Sequence, residues 1–146
     1  TNAQRPSRQT QINRLLAGVG LVAWSALAGA ADLVVAHMAP FTGPASIEAA
    51  EYNAGIRLAI KATNAAGGIN GQQLVLKTAN DEYKPEQAVA IFRQLAAENT
   101  VATLLPVGSP AMGQILKEGL PETLKLPIIG LVPGAEPVFH QDSGFW

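Results

Sequence analysis

Short apolar runs alternate with longer amphipathic stretches along most of this chain. Asp32–Met38 (DLVVAHM) is an apolar run closed by Pro40, which predicts a buried strand. From Ser46 to Ala66, Ile47, Ala50, Ala54, Leu58 and Ala62 recur at helical spacing. That stretch predicts a helix, with Pro44 just before it and Ser46 as its N-cap. Gln73–Ala79 alternates through Leu74 and Leu76, as a strand with one exposed face does. Pro85 then opens a second helix whose stripe is Ala88, Ile91, Phe92, Leu95 and Ala96. Val101–Val107 predicts a third strand, shortened or placed at an edge by Pro106. Pro110 starts a third helix carrying Ile115, Leu116 and Leu120, and Leu126–Val132 predicts a fourth strand.

Turn residues punctuate these elements. Gly67-Gly68 stops the first helix, because glycine accepts the left-handed backbone needed past a helix end. Asn70-Gly71 is a tight-turn signal. Strands alternating with helices predict an α/β fold, a parallel sheet with helices on both faces, joined by right-handed crossovers. In such sheets ligands sit at the carboxyl ends of the strands, near a switch in strand order. That rule nominates four loops: Ala39–Pro44, Asn80–Lys84, Val107–Pro110 and Val132–Glu136.

The first thirty residues follow another pattern. Arg5, Arg8 and Arg14 are the only charges before Asp32, and Leu15–Leu27 is an uncharged, mostly apolar run. Ala28-Gly29-Ala30 follows as a small-x-small exit. The three features together predict a secretory signal peptide over residues 1–30. The run is shorter than the about 20 residues that a membrane span needs. The expected mature segment, 31–146, holds seven bases and all eleven acids, for a net charge of −4.

Composition narrows the function. The 146 residues are 48% hydrophobic and 14% charged, which favours a globular core over disorder. With a net charge of −1 there is no basic field to suggest a nucleic-acid partner. Cysteine is absent, which removes disulfides, cysteine-bound zinc and thiol nucleophiles. The two histidines, His37 and His140, are far apart and have no metal-ligand partner at useful spacing. No Gly-x-Ser-x-Gly elbow and no phosphate-binding Gly-Lys-Ser/Thr loop occurs. Asp81-Glu82 reads as a solvated turn. These readings disfavour an enzyme, and no metal or cofactor is expected.

What remains is a binding constellation. Gly108-Ser109-Pro110 falls between a strand and a helix, with Ser109 as the expected N-cap and Pro110 as the first helical residue. Free N–H groups and the positive dipole end attract a carboxylate or phosphate there. A simple capped helix is the plainer alternative. Phe41-Thr42-Gly43 offers an aromatic face, a hydroxyl and close backbone approach, a mixture suited to small-solute pockets. It also reads as a turn with a buried Phe. Tyr83 and Glu136 are further candidates.

With these residues the chain resembles the periplasmic solute-binding proteins of ABC transporters, of the leucine/isoleucine/valine-binding type. The resemblance runs from about Asp32 to about Phe139. It rests on Phe41-Thr42-Gly43-Pro44, Ala65-Ala66-Gly67-Gly68-Ile69-Asn70-Gly71, Asp81-Glu82 with Pro85 and Ala88, and Gly108-Ser109-Pro110, in that order. It implies a Rossmann-like lobe, one of two that close over a ligand in the periplasm. It also implies an inner-membrane ABC permease as partner and an amino acid or small carboxylate as ligand. In the family a Ser or Thr after the third strand holds the ligand carboxylate, which here implies Ser109, flanked by Val107, Gly108 and Pro110. The loop after the fourth strand, Val132-Pro133-Gly134-Ala135-Glu136, would supply Val132, Gly134 and Glu136. It departs from the family pattern, since Pro133 stands where a hydroxyl residue is usual. An aromatic residue usual near the first helix is also absent, and Glu48 falls near its place.

The family's members are much longer, so the chain is expected to be an incomplete first lobe that binds ligand poorly alone. An open sheet edge and exposed apolar surface are expected with it. Two alternatives stay open: a ligand sensor of the same fold controlling a signalling partner, and an exported α/β hydrolase.

Overall fold

The structure, a computed structural model, describes residues 31–132 and Gly134. The expected signal peptide and Glu136 lie outside the described residues. The described residues form four strands and four helices, in the order β1 (Leu33–Ala39), α1 (Ser46–Ala65), β2 (Leu74–Asn80), α2 (Pro85–Ala97), β3 (Ala102–Leu104), α3 (Ser109–Lys117), α4 (Leu120–Leu124) and β4 (Ile128–Ile129). The strands form one parallel sheet in the order β2-β1-β3-β4. Leu33 pairs with Leu74 and Ala39 with Asn80, while Val35 pairs with Ala102 and Thr103 with Ile128. The α/β expectation holds.

β1 is central, and its residues from Val35 to Ala39 are buried on both faces. Ala36 and Met38 point to one side. There Phe92 and Leu95 of α2, Met112, Ile115 and Leu116 of α3, and Leu120 of α4 pack against them. His37 and Ala39 point to the other side, where α1 lies. Helices therefore cover both faces, as sheets of βαβ units require.

Several boundaries differ from the sequence expectation. The stripe Ile47, Ala50, Ala54, Leu58 and Ala62 is not the buried face of α1; Ile47 is 76% and Leu58 70% exposed. The buried positions are Ala49, Asn53 and Ile56, which share the helical period but lie on another side. Small Ala49 lets the helix approach β1, and polar Asn53 is buried because it bonds to His37. A polar residue at a core position hides the true stripe from a hydrophobicity pattern. Ser46 is the first helical residue rather than the cap. Ala45, in the left-handed region at φ 63, occupies the cap position.

The third predicted helix is two. Gly119 (φ 60) breaks it, its N–H closing on the Leu116 carbonyl at 2.9 Å, and Leu120 begins α4. The fourth strand shrinks to Ile128–Ile129. β3 ends at Leu104, since Leu105 turns left-handed (φ 44) and Pro106 has no N–H to give a ladder.

The α1-to-β2 turn is tied by Asn64, whose side chain both donates to the Leu74 carbonyl (2.9 Å) and accepts from the Leu74 N–H (2.8 Å). Gly68 in this turn has φ 76, and a β-carbon there would stand 2.0 Å from the Gln72 carbonyl oxygen. Only glycine fits that approach.

On the α1 side, an apolar groove of about 390 Å3 opens between Ile56 and Ile60 of α1, Leu104 and Ile129 of the sheet, and Leu105 just past β3. Ile129 is 56% exposed there.

Candidate functional site

From β1 the chain crosses by α1 to β2 on one side, while β3 lies on the other. The loops after β1 and β3 therefore part at a switch in strand order, where a crevice opens. A cleft of about 110 Å3 lies at these strand ends, lined by Ala45, Glu48, Tyr83, Val107, Gly108, Ser109, Val132 and Gly134. Three of the four nominated loops contribute, those after β2, β3 and β4; the loop Ala39–Pro44 does not line the cleft, and Ala45 and Glu48 at the start of α1 stand in its place.

The loop before α3 is shaped by backbone constraint. Leu105 is left-handed, Pro106 is buried, and Gly108 has φ 112. Buried Val107 packs with Ala39 and Ala49, with Phe41 and Tyr52 beside them, anchoring the loop over the end of β1. Gly108 occupies the cap position of α3, so Ser109 is the first helical residue and Pro110 the second, and the helix begins one residue earlier than the sequence suggested. No side chain caps this helix. The Met112 N–H reaches the Gly108 carbonyl at 3.1 Å. The N–H groups of Ser109 and Ala111 precede the first intrahelical donor, and Pro110 has none. Half-buried Ser109 thus sets a hydroxyl beside donors at the positive end of the helix dipole.

Tyr83 is placed by two successive left-handed residues, Glu82 (φ 54) and Tyr83 (φ 63). Its N–H donates to Oδ1 of Asp81 at 2.9 Å. The ring lies against Gly108: a β-carbon at Gly108 would stand 3.4 Å from Tyr83 Cε2. Asp81 itself is fully buried, which corrects the solvated-turn reading. Its Oδ2 has no hydrogen-bond partner, and burial pushes the carboxyl above its ordinary range, against the Tyr83 N–H that favours the charged form. Glu82 is the solvated one of the two, paired with Lys84 at 2.6 Å. That hydrogen bond holds the Glu82 carboxyl below its ordinary range.

Of the sequence candidates, Val107, Gly108, Ser109, Val132 and Gly134 come together at the cleft, and Tyr83 joins them. Phe41, Thr42 and Pro110 do not line it. Phe41 packs at the base of the loop, edge-on to His37 with ring centres 5.4 Å apart. Thr42 Oγ1 accepts from Asn80 Nδ2 at 2.9 Å, joining the loops after β1 and β2. Pro110 is exposed on the helix. Glu136 lies outside the described residues. Ala45 and Glu48 line the cleft without having been chosen as site residues. For Ala45 the signal was position alone, at the start of α1; Glu48 also falls near the place of the aromatic usual in the resembled family. Among the described residues, no three His, Asp or Glu side chains group as metal ligands. No described helix is long and apolar enough to cross a membrane.

Residues 32–136 match the family of periplasmic binding proteins. The chain belongs to that family. A Leu/Ile/Val-binding protein homolog 1 of Brucella abortus is 30% identical over 138 residues, covering 90% of this chain and 35% of that protein. The crystal structure of an extracellular ligand-binding receptor from Verminephrobacter eiseniae superposes with a TM-score of 0.71 at 34% identity, over 74% of this chain and 30% of that one. A substrate-binding periplasmic protein of Ralstonia solanacearum gives 0.71 at 33% identity, over 75% and 31%. The chain thus spans about a third of the length of these relatives. As a periplasmic binding protein it carries the family's parallel sheet, and its cleft lies where such sheets take ligands.

Proposed function

We propose that this chain is the amino-terminal part of the first lobe of a solute receptor that captures an amino acid or related small carboxylate in the periplasm. The receptor delivers it to an ABC permease in the inner membrane. The observation that carries this reading is the cleft at the switch point, with the uncapped amino terminus of α3 and the Ser109 hydroxyl in its wall. Backbone N–H groups and the helix dipole stabilise a carboxylate at that place, and Ser109 adds a donor. The similarity to the Brucella Leu/Ile/Val-binding protein homolog supports an amino-acid ligand.

Expected export through residues 1–30 fits this role, and the rest of the trap would come from a second lobe. A screen of amino acids and small carboxylates by thermal shift on the full-length polypeptide tests the proposal. A binding solute raises the melting temperature by linkage, and Ser109→Ala abolishes most of that rise for the best hit. An unchanged rise in the variant removes Ser109 from the site.

A further inference from the structure

Among the described residues that line the cleft, Glu48, on the first turn of α1, is the one carboxylate, and none is a lysine or arginine. Glu48 is exposed and, among the described residues, no hydrogen bond or ion pair engages it; the same is true of Glu51 and Glu86, but neither of those lines the cleft. The cleft therefore has two poles: the α3 amino terminus with Ser109, which favours an anion, and an unpaired carboxylate, which favours a cation. An aliphatic side chain pressed against Glu48 would strip water from a charge and return nothing. A cationic side chain would replace that water with a charge-assisted hydrogen bond.

We propose that Glu48 selects the solute's side chain, so that the cleft takes a basic amino acid in preference to an aliphatic one. The inference rests on the solute-receptor reading above and names the ligand class of that same site. Glu48 also stands where an acidic residue complements the α1 dipole. That structural role would affect all ligands alike, so the test must read selectivity rather than affinity.

Arginine and citrulline are nearly the same shape and differ in side-chain charge. Calorimetric titration of the full-length polypeptide with both gives their affinity ratio. Arginine is expected to bind about tenfold tighter or more, and Glu48→Gln is expected to bring the ratio close to unity. A wild-type ratio near unity overturns the inference. So does a ratio that survives in Glu48→Gln, since the carboxylate would then be paired with the α-ammonium or with nothing. Ser109→Ala separates this from failure of the site itself. Weakened binding of both ligands at an unchanged ratio supports the two-pole arrangement. Full arginine affinity in that variant overturns the site, and the inference with it.

Discussion

The side-chain amide of Asn53 donates to Nδ1 of His37 across 3.0 Å, inside the layer between α1 and the central strand. Arg57 Nε in turn donates to Asn53 Oδ1 at 2.8 Å, fixing the amide's orientation. The acceptor role assigns the proton of the neutral imidazole to Nε2, which meets no partner at hydrogen-bonding geometry, although the Leu105 backbone lies beside the ring. His37 thus links α1, β1 and the loop that leads to Ser109.

Burial lowers the His37 pKa below its ordinary value, the Leu105 backbone opposing only in part. Well above pH 6.5 the imidazole is neutral in folded and unfolded chains alike, and pH has no effect through it. As pH falls below that, the unfolded chain binds a proton that the folded one refuses, so stability falls until the folded pKa is passed. The slope does not exceed about 1.4 kcal/mol per pH unit for one proton. Urea unfolding of the full-length protein between pH 7 and pH 5 reads this loss. His37→Gln should flatten the curve, and an equal slope in that variant would assign it elsewhere.

Asp81 works in the opposite sense. Its folded pKa is raised, so the folded chain holds the proton longer than the unfolded one as pH climbs through the ordinary range. The cost of burying the charge is complete above the folded pKa and vanishes in acid. Asp81→Asn keeps an oxygen for the Tyr83 N–H and carries no charge. Its stability relative to wild type should therefore rise between pH 4 and pH 7. A difference that does not change with pH would show that Asp81 is not held against burial.

Phe92 is fully buried among Met38, Met112 and Ile115, while Leu58 is mostly exposed. Phe92→Ala should cost about 3–5 kcal/mol through lost burial and a residual cavity. Leu58→Ala should stay within about 0.5 kcal/mol. Denaturant midpoints compare the two, and a large loss at Leu58 would place that side chain in a buried contact.

Gly108→Ala sets a β-carbon on a residue at φ 112 and within 3.4 Å of Tyr83 Cε2. Backbone strain of about 1–3 kcal/mol follows. The variant should both melt earlier and bind solute more weakly, because relief of the strain moves Ser109 or the Tyr83 ring. Unaltered binding and melting would mean that the loop relaxes freely.

The sequence made the α/β order legible because β1, β3 and β4 fall in short apolar runs next to a proline, and β2 alternates through Leu74 and Leu76 after the Asn70-Gly71 turn. α2 was equally clear: Ala88, Phe92 and Leu95 are both its apolar residues and its buried ones. α1 misled for a physical reason. Its inward face includes Asn53, and its apolar Ile47 and Leu58 face outward, so hydrophobicity and burial disagree. At the cleft, Ser109 with Gly108 and Val107 could be read from a strand followed by a helix start. The one-residue shift of the cap could not, because it depends on the positive φ of Gly108. Phe41 and Thr42 have the residue types of a pocket, yet one fills the base of a loop and the other joins two loops. Asp81 looked solvated because Glu82 beside it is; two left-handed residues turn the pair to opposite environments.

The central claim is that a solute carboxylate sits on the amino terminus of α3. Amide NMR of the full-length protein, titrated with the solute that gives the largest thermal shift, tests it most directly. The account predicts that the Ser109 and Ala111 N–H resonances move furthest among the residues of this lobe, and that Ser109→Ala weakens the titration about tenfold or more, the loss of a hydrogen bond to a charged group. Saturating binding that leaves both resonances in place would contradict it.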